Sequence, residues 1–217
     1  MNEAMRDRLR AIPVFENVRE TEAEERVLPD NPLPLIADWL LAAHAAGQPE
    51  PHAISLSTVD RSGVPSSRVL IVKDIDGEGL FFATGADSRK GREIAANPRV
   101  AAHFHWPVVG RQVRIVGTAA PVGRGASEAD FAERGHDAQL AAHLHQPGPL
   151  PDRAAALDEF ERLAEKYPDE VPAPPSWTLF AITPTEVEFW EASVDRVHHR
   201  ISYRRENSAW HRELLWP

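Results

Sequence analysis

The cations between Pro65 and Gln112 are the residues whose types and spacing best suit chemistry. Arg68 and Lys73 bracket the apolar run of PSSRVLIVK, and Arg89 and Lys90 follow Ser88 in SRKGRE, a segment that opens like a helix with Ser88 as its N-cap. A helix start presents unpaired N–H groups and a partial positive charge, so two cations placed there repel it unless an anion sits among them. A phosphate resolves that conflict. On spacing alone, solvated surface charge is the simpler reading of the same residues. Arg68 and Lys73 have opposite strand parity and lie ~16 Å apart if the strand is extended, so they suit opposite ends of a long ligand.

The histidines offer less. His103 and His105 share a strand face, His198 adjoins His199, and His143 with His145 fall on a helical segment at unfavourable spacing. No HExxH or completing carboxylate accompanies them, so no metal site is expected. Nothing resembles GxGxxG after a strand, or GxSxG, which argues against a nicotinamide dehydrogenase of Rossmann type and a serine hydrolase.

The elements around these residues are mostly strands. Leu35, Ile36, Trp39, Leu40 and Ala43 recur at helical spacing over Pro34 to Gly47 and predict an amphipathic helix. Strands are expected at Ala53 to Asp60, Ser66 to Lys73, Leu80 to Ala83, Val100 to His105 and Gln112 to Val122. Asp76-Gly77 reads as a hairpin turn joining the second of these to the third, and the helix from Ser88 stops at Asn97-Pro98. Five sequential strands with short turns and one inserted helix suggest a closed antiparallel barrel. SEADFAERGHDAQLAAHLHQ and RAAALDEFERLAEKY carry helical periodicity, separated by PGPLP, and strands return in WTLFAI, VEFWEA, HHRISYRR and WHRELLW. Residues 1–30 read as a mobile arm or a short docking helix, with RETEAEER a solvated run, and 31–217 as a single domain. Phe81, Phe82, Phe104 and Trp106 are expected in the core.

Composition narrows the classes. The 217 residues carry 42% hydrophobic and 26% charged side chains, ordinary for a globular domain with a full core. A net charge of -9 argues against a general binder of nucleic acid or anionic membrane. The absence of cysteine excludes disulfides, thiolate metal sites and a thioether-linked cofactor. With no apolar run of ~20 residues and a polar start, MNEAMRDRLR, the expected address is the cytoplasm.

Taken together, PSSRVLIVK, SRKGRE with ANPR, FHWP, GRQVRIVG and the C-terminal Glu188, Phe189, Trp190, Arg196, His198 and Arg200 resemble the pyridoxamine 5'-phosphate oxidase family in order and spacing, from about Pro34 onward. The resemblance implies an FMN-binding split β-barrel, mainly β with flanking helices (α+β), antiparallel and Greek-key-like. It implies FMN held by Arg68, Val69, Lys73, Thr84, Arg89, Lys90, Gln112, Trp190 and Arg200, with the phosphate on Arg68, Arg89, Lys90 and Thr84. Trp190 and Arg200 would reach the flavin across a subunit boundary, so a homodimer with FMN at its interface is implied. Lys73, Arg134, Arg196 and His198 would bind substrate, with His198 and Arg196 nearest the chemistry. The flavin would accept a hydride equivalent and pass electrons to O2.

Departures from the family are informative. Where its vitamin B6 oxidases surround a substrate phosphate with tyrosine, arginine and serine, this chain has Asp130, Arg134 and Ala138, and an inward Asp would repel a phosphate. HLHQPGPLP replaces a Gln-Ser segment, and MRDRLRAIPVFENV lacks the N-terminal Arg and Tyr lid motif. These losses resemble the phenazine-biosynthesis oxidases, a branch acting on a reduced tricyclic acid. A divergent pyridoxine 5'-phosphate oxidase, or a non-catalytic flavin- or haem-binding carrier or sensor on the same barrel, are the alternatives.

Overall fold

Alternation of apolar and polar residues sets the sheet. The computed structural model describes residues 3–14, 28–144 and 149–217, so His145 and the run RETEAEER lie outside the described residues. Strands β1 (Ala53–Val59), β4 (Leu80–Gly85) and β5 (Arg99–Trp106) bury every second side chain. β2 (Pro65–Ile71), β3 (Asp74–Ile75), β6 (Arg111–Pro121), β7 (Trp177–Glu191), β8 (His199–Glu206) and β9 (Ala209–Leu214) complete one antiparallel sheet in the order β2-β1-β5-β6-β7-β4-β3, with β8 and β9 branching from β7.

The barrel closes at one seam. The Val72 N–H donates to His52 O at 2.9 Å on the β1 side, and the next N–H, of Lys73, donates to Phe81 O at 2.7 Å on the β4 side. One chain segment thus serves both edges of the sheet, through β2 and then β3. This corrects the expected hairpin: β2 pairs with β1, and only the two residues of β3 pair with β4. Lys73 therefore occupies the seam.

WTLFAI and VEFWEA, read as two strands, form the single 15-residue β7. Pro184 inside it has no N–H for the ladder, and the register with β6 shifts between Val116 and Gly117, opposite that proline. A Cβ on Gly117 would collide with Thr183 O, so the close approach requires glycine. The first half of β7 pairs with β4 and the second half with β8, which splits the barrel.

Helix α1 (Glu3–Arg10) precedes α2 (Pro32–Ala45), which starts two residues before the predicted start and is capped by Asn31, whose side chain accepts the Leu33 N–H at 3.0 Å. Its residues Leu33, Ile36 and Trp39 enter the main core with Leu56, Phe82, Phe104, Trp106 and Phe189; Phe81 is only half-buried. At the other end of the expected arm, Leu28 packs on this core, and Pro29 O accepts from Tyr203 Oη at 3.0 Å. Helix α3 (Arg89–Ala96) is capped by Ser88 as predicted. The next helical stretch is two helices, α4 (Arg124–Ala132) and α5 (His136–Ala142), separated around Gly135. With α6 (Arg153–Lys166) they cover a second apolar cluster of Phe131, Leu140, Leu163, Val171 and Trp177. No helix among the described residues is long and apolar enough to cross a membrane.

Candidate active site

The first turn of α3 lies against β1 and β2 in a charged cluster. Arg68 shares the inner face of β2 with Ser66, because their β1 partners Leu56 and Thr58 are buried. Its Nη1 donates to Leu56 O (3.1 Å) and Thr58 Oγ1 (2.7 Å), and its Nη2 to Ser66 Oγ (2.5 Å). Both hydroxyls donate hydrogen bonds to one oxygen of Glu93, Thr58 at 2.5 Å and Ser66 at 2.6 Å, while Arg89 Nε donates to the other oxygen at 2.8 Å. The Ser66 and Thr58 hydrogen bonds, with help from Arg89, outweigh burial and hold the Glu93 carboxyl at about 2.

Sequence reasoning passed over Glu93, although the i,i+4 spacing from Arg89 was a readable signal. Among these four side chains Arg68, Arg89 and Lys90 outnumber Glu93 by two positive charges. Burial first, and the neighbouring Arg68 second, push the Lys90 ammonium down from its ordinary value, as for a cation short of an anion. The Arg89 side chain is 63% exposed, so its guanidinium can reach a ligand. A Cβ on Gly91 would collide with the backbone of Ala86, so glycine lets the loop after β4 fold tightly over the helix start. This donor set fits a phosphate dianion. Thr84 is buried on the inner face of β4, and Val69 is 68% exposed on the outer face of β2.

A second cluster gathers at the seam. Lys73 Nζ stands 3.8 Å from Asp130 Oδ1, and Asp130 Oδ2 accepts from Trp177 Nε1 at 3.0 Å. Arg134 lays its guanidinium 4.4 Å from the centre of the Trp177 ring and donates through Nη2 to Ala138 O at 2.9 Å. Its Nε is buried with no hydrogen-bond partner among the described residues. Burial lowers the Arg134 pKa, and Asp130 opposes that shift. Asp130 thus points inward, and Lys73 and Trp177 hold it there. Helical spacing puts Ser127, Asp130, Phe131 and Arg134 on one face of α4 and its following turn. Ser127 Oγ accepts the Leu179 N–H at 3.0 Å and pins that face to β7.

The third group lies on the outer face of the sheet. Gln112, Trp190 and Arg200 are direct partners in one row across β6, β7 and β8. His103, which sequence reasoning weighed only as a metal ligand, places Nε2 3.1 Å from Gln112 Oε1 and orients that amide. Arg200 donates Nε and Nη2 to Glu188 Oε1 (2.9 and 2.8 Å) and Nη1 to Trp216 O (2.6 Å). The His198 ring lies 4.7 Å from that of Trp190, and its Nδ1 accepts the Ser193 N–H at 3.1 Å, so the neutral ring carries its proton on Nε2. Arg196 is exposed at the tip of the same turn with φ 70, a left-handed conformation held by Asp195 Oδ1, which accepts from Val197 N–H at 2.8 Å. Most of the expected site residues therefore fall into an inner cationic corner, a seam cluster and an outer row, with Thr84 on β4 and Val69 on β2 outside these contacts. Among the described residues no group of three or more His, Asp or Glu could hold a metal.

Comparison with known proteins bears on the family and the fold. Residues 40–191 match the model of the pyridoxamine 5'-phosphate oxidase family, and residues 177–217 match the pyridoxine 5'-phosphate oxidase C-terminal dimerisation region. A pyridoxine/pyridoxamine 5'-phosphate oxidase of Granulibacter bethesdensis is 39% identical over 195 residues, covering 87% of this chain and 92% of the relative. One from Rhodopseudomonas palustris is 40% identical over 192 residues, covering 87% and 91%. The crystal structure of PhzG from Burkholderia lata in complex with tetrahydrophenazine-1-carboxylic acid superposes with a TM-score of 0.88 at 32% identity, covering 93% of this chain and all of that one. An FMN-binding protein of Nostoc punctiforme shares the fold, with a TM-score of 0.73 at 21% identity. The chain belongs to the pyridoxamine 5'-phosphate oxidase family, whose members are FMN-dependent oxidoreductases on a split β-barrel.

Proposed function

We propose that this protein is a homodimeric, FMN-dependent oxidase that acts on a reduced aromatic acid other than a B6 vitamer and returns its electrons to O2. The observation that carries the cofactor half is the doubly positive corner of Arg68, Arg89 and Lys90 around Glu93, matched in charge to the FMN phosphate. The substrate half is supported by the likeness to PhzG over 93% of this chain and by Ala138, which has no side-chain hydroxyl to offer a phosphate and whose backbone carbonyl is engaged by Arg134.

When bound, FMN supplies the hydride-accepting chemistry. The chain's own residues bind and orient. Lys73 and Arg134 offer cations to a substrate anion at the seam. Arg196 and His198 face the substrate from the turn between β7 and β8, with His198 holding a transferable proton at Nε2. Gln112 presents its amide and Trp190 its ring to the flavin edge. Because Gln112, Trp190 and Arg200 share the outer face whereas Arg68 shares the inner one, a complete site draws on two copies, in keeping with the dimerisation region at 177–217. Such a dimer would work in the cytoplasm.

Pyridoxine/pyridoxamine 5'-phosphate oxidation is the second reading, favoured by 39–40% identity to relatives of that name. The test is an anaerobic visible spectrum of the FMN-loaded protein before and after each candidate donor. Bleaching by a reduced tricyclic aromatic acid supports the proposal, and bleaching by pyridoxine 5'-phosphate alone restores the second reading. A flavin that no donor reduces would favour a carrier or sensor.

A further inference from the structure

We infer that Asp130 is a specificity-determining residue that sets the seam to accept a monoanionic carboxylate and to reject a phosphate monoester. The inference rests on the oxidase reading above. Among the charged groups of the seam, Lys73 and Arg134 are cations and Asp130 is an anion, which leaves one net positive charge. The α3 corner keeps two, with Arg68, Arg89 and Lys90 against Glu93. Two anion-binding regions in one chain thus differ by one charge, and the weaker lies where substrate is expected.

Asp130 is fixed in that role. Its side chain is 11% exposed, its Oδ2 accepts from Trp177 Nε1, and its Oδ1 faces Lys73. Rotation away would leave the buried end of Trp177 without its acceptor. Trp177 also carries Arg134 on its ring, so one indole sets the spacing of the Asp130 carboxylate and the Arg134 guanidinium. A carboxylate ligand can share Lys73 and Arg134 with Asp130 in a charge-balanced arrangement. A phosphate monoester brings a second negative charge beside Asp130, with no cation left to answer it.

The test is calorimetric binding to FMN-loaded wild type and Asp130→Asn at pH 8, with pyridoxal 5'-phosphate and phenazine-1-carboxylate as probes. Asn keeps an acceptor for Trp177 and removes the charge. The expected result is at least a tenfold gain in pyridoxal 5'-phosphate affinity in the variant, about 1.4 kcal/mol, with the carboxylate probe changed less than threefold. Asp130→Ser removes the charge through a different side chain and should give the same ordering if the Asn protein folds poorly. A phosphate-ester affinity within twofold of wild type in both variants, including undetectable binding throughout, overturns the role of Asp130. The oxidase reading is decided separately, by whether a reduced aromatic acid bleaches the wild-type flavin.

Discussion

Replacing Glu93 by Gln removes the one anion that organises the α3 corner. Glu93 is 6% exposed and receives Thr58, Ser66 and Arg89, and these contacts carry its carboxyl from an ordinary 4.5 to about 2. Stability from a depressed carboxylate is fully present above the unfolded value of 4.5 and is lost as pH falls through about 2. A shift of that size corresponds to about 3 kcal/mol, which water screening of the half-open cluster reduces to about 1–2 kcal/mol. At roughly 2–4 °C per kcal/mol for a chain of this size, the flavin-free Glu93→Gln protein should melt about 2–8 °C below wild type at pH 7. The gap should narrow steadily as pH falls below 4.5. Thermal unfolding of both proteins across pH 7 to 3 measures it. An unchanged midpoint at pH 7, or a gap that does not depend on pH, would refute the assignment of Glu93 as the ionised centre of the cluster.

Other outcomes follow from the same geometry. Arg89→Ala combined with Lys90→Ala should give a folded protein that purifies pale, since each charge-assisted contact is worth about 1.5–3 kcal/mol; full flavin retention would remove both residues from the phosphate corner. Gly91→Ala forces a methyl into the Ala86 backbone and should cost about 1–3 kcal/mol and weaken FMN binding, read by thermal unfolding and flavin titration. Arg196→Ala should slow turnover while leaving FMN affinity unchanged, because Arg196 sits at an exposed turn between β7 and β8 and is not among the α3-corner cations assigned to the phosphate; an unaltered rate would take it out of the substrate set.

Much of this was legible in the sequence wherever local chemistry decides structure. The Ser88 cap, the Asn97-Pro98 stop and the alternation in AISLSTV act within a few residues, and each element appears close to its predicted bounds. Long-range pairing was less readable. A two-residue β3 is too short to carry a pattern, so the seam at Val72 and Lys73 emerges only when both sheet edges exist. WTLFAI and VEFWEA read as separate strands, yet a register shift opposite Gly117 lets one strand run through Pro184 between them. The same limit applies to the site. Arg89 to Glu93 is a local spacing, whereas the contacts of Lys73 with Asp130 and of His103 with Gln112 join separate elements, and charge signs alone could not choose between an inward and an outward Asp130.

The most direct test of the account is to titrate the flavin-free protein with FMN and with riboflavin, which differ only in the phosphate that the corner of Arg68, Arg89, Lys90 and Glu93 is assigned to hold. FMN should bind at least a hundredfold more tightly, a difference that shrinks as salt is raised. Equal affinity for the two flavins would contradict the assignment.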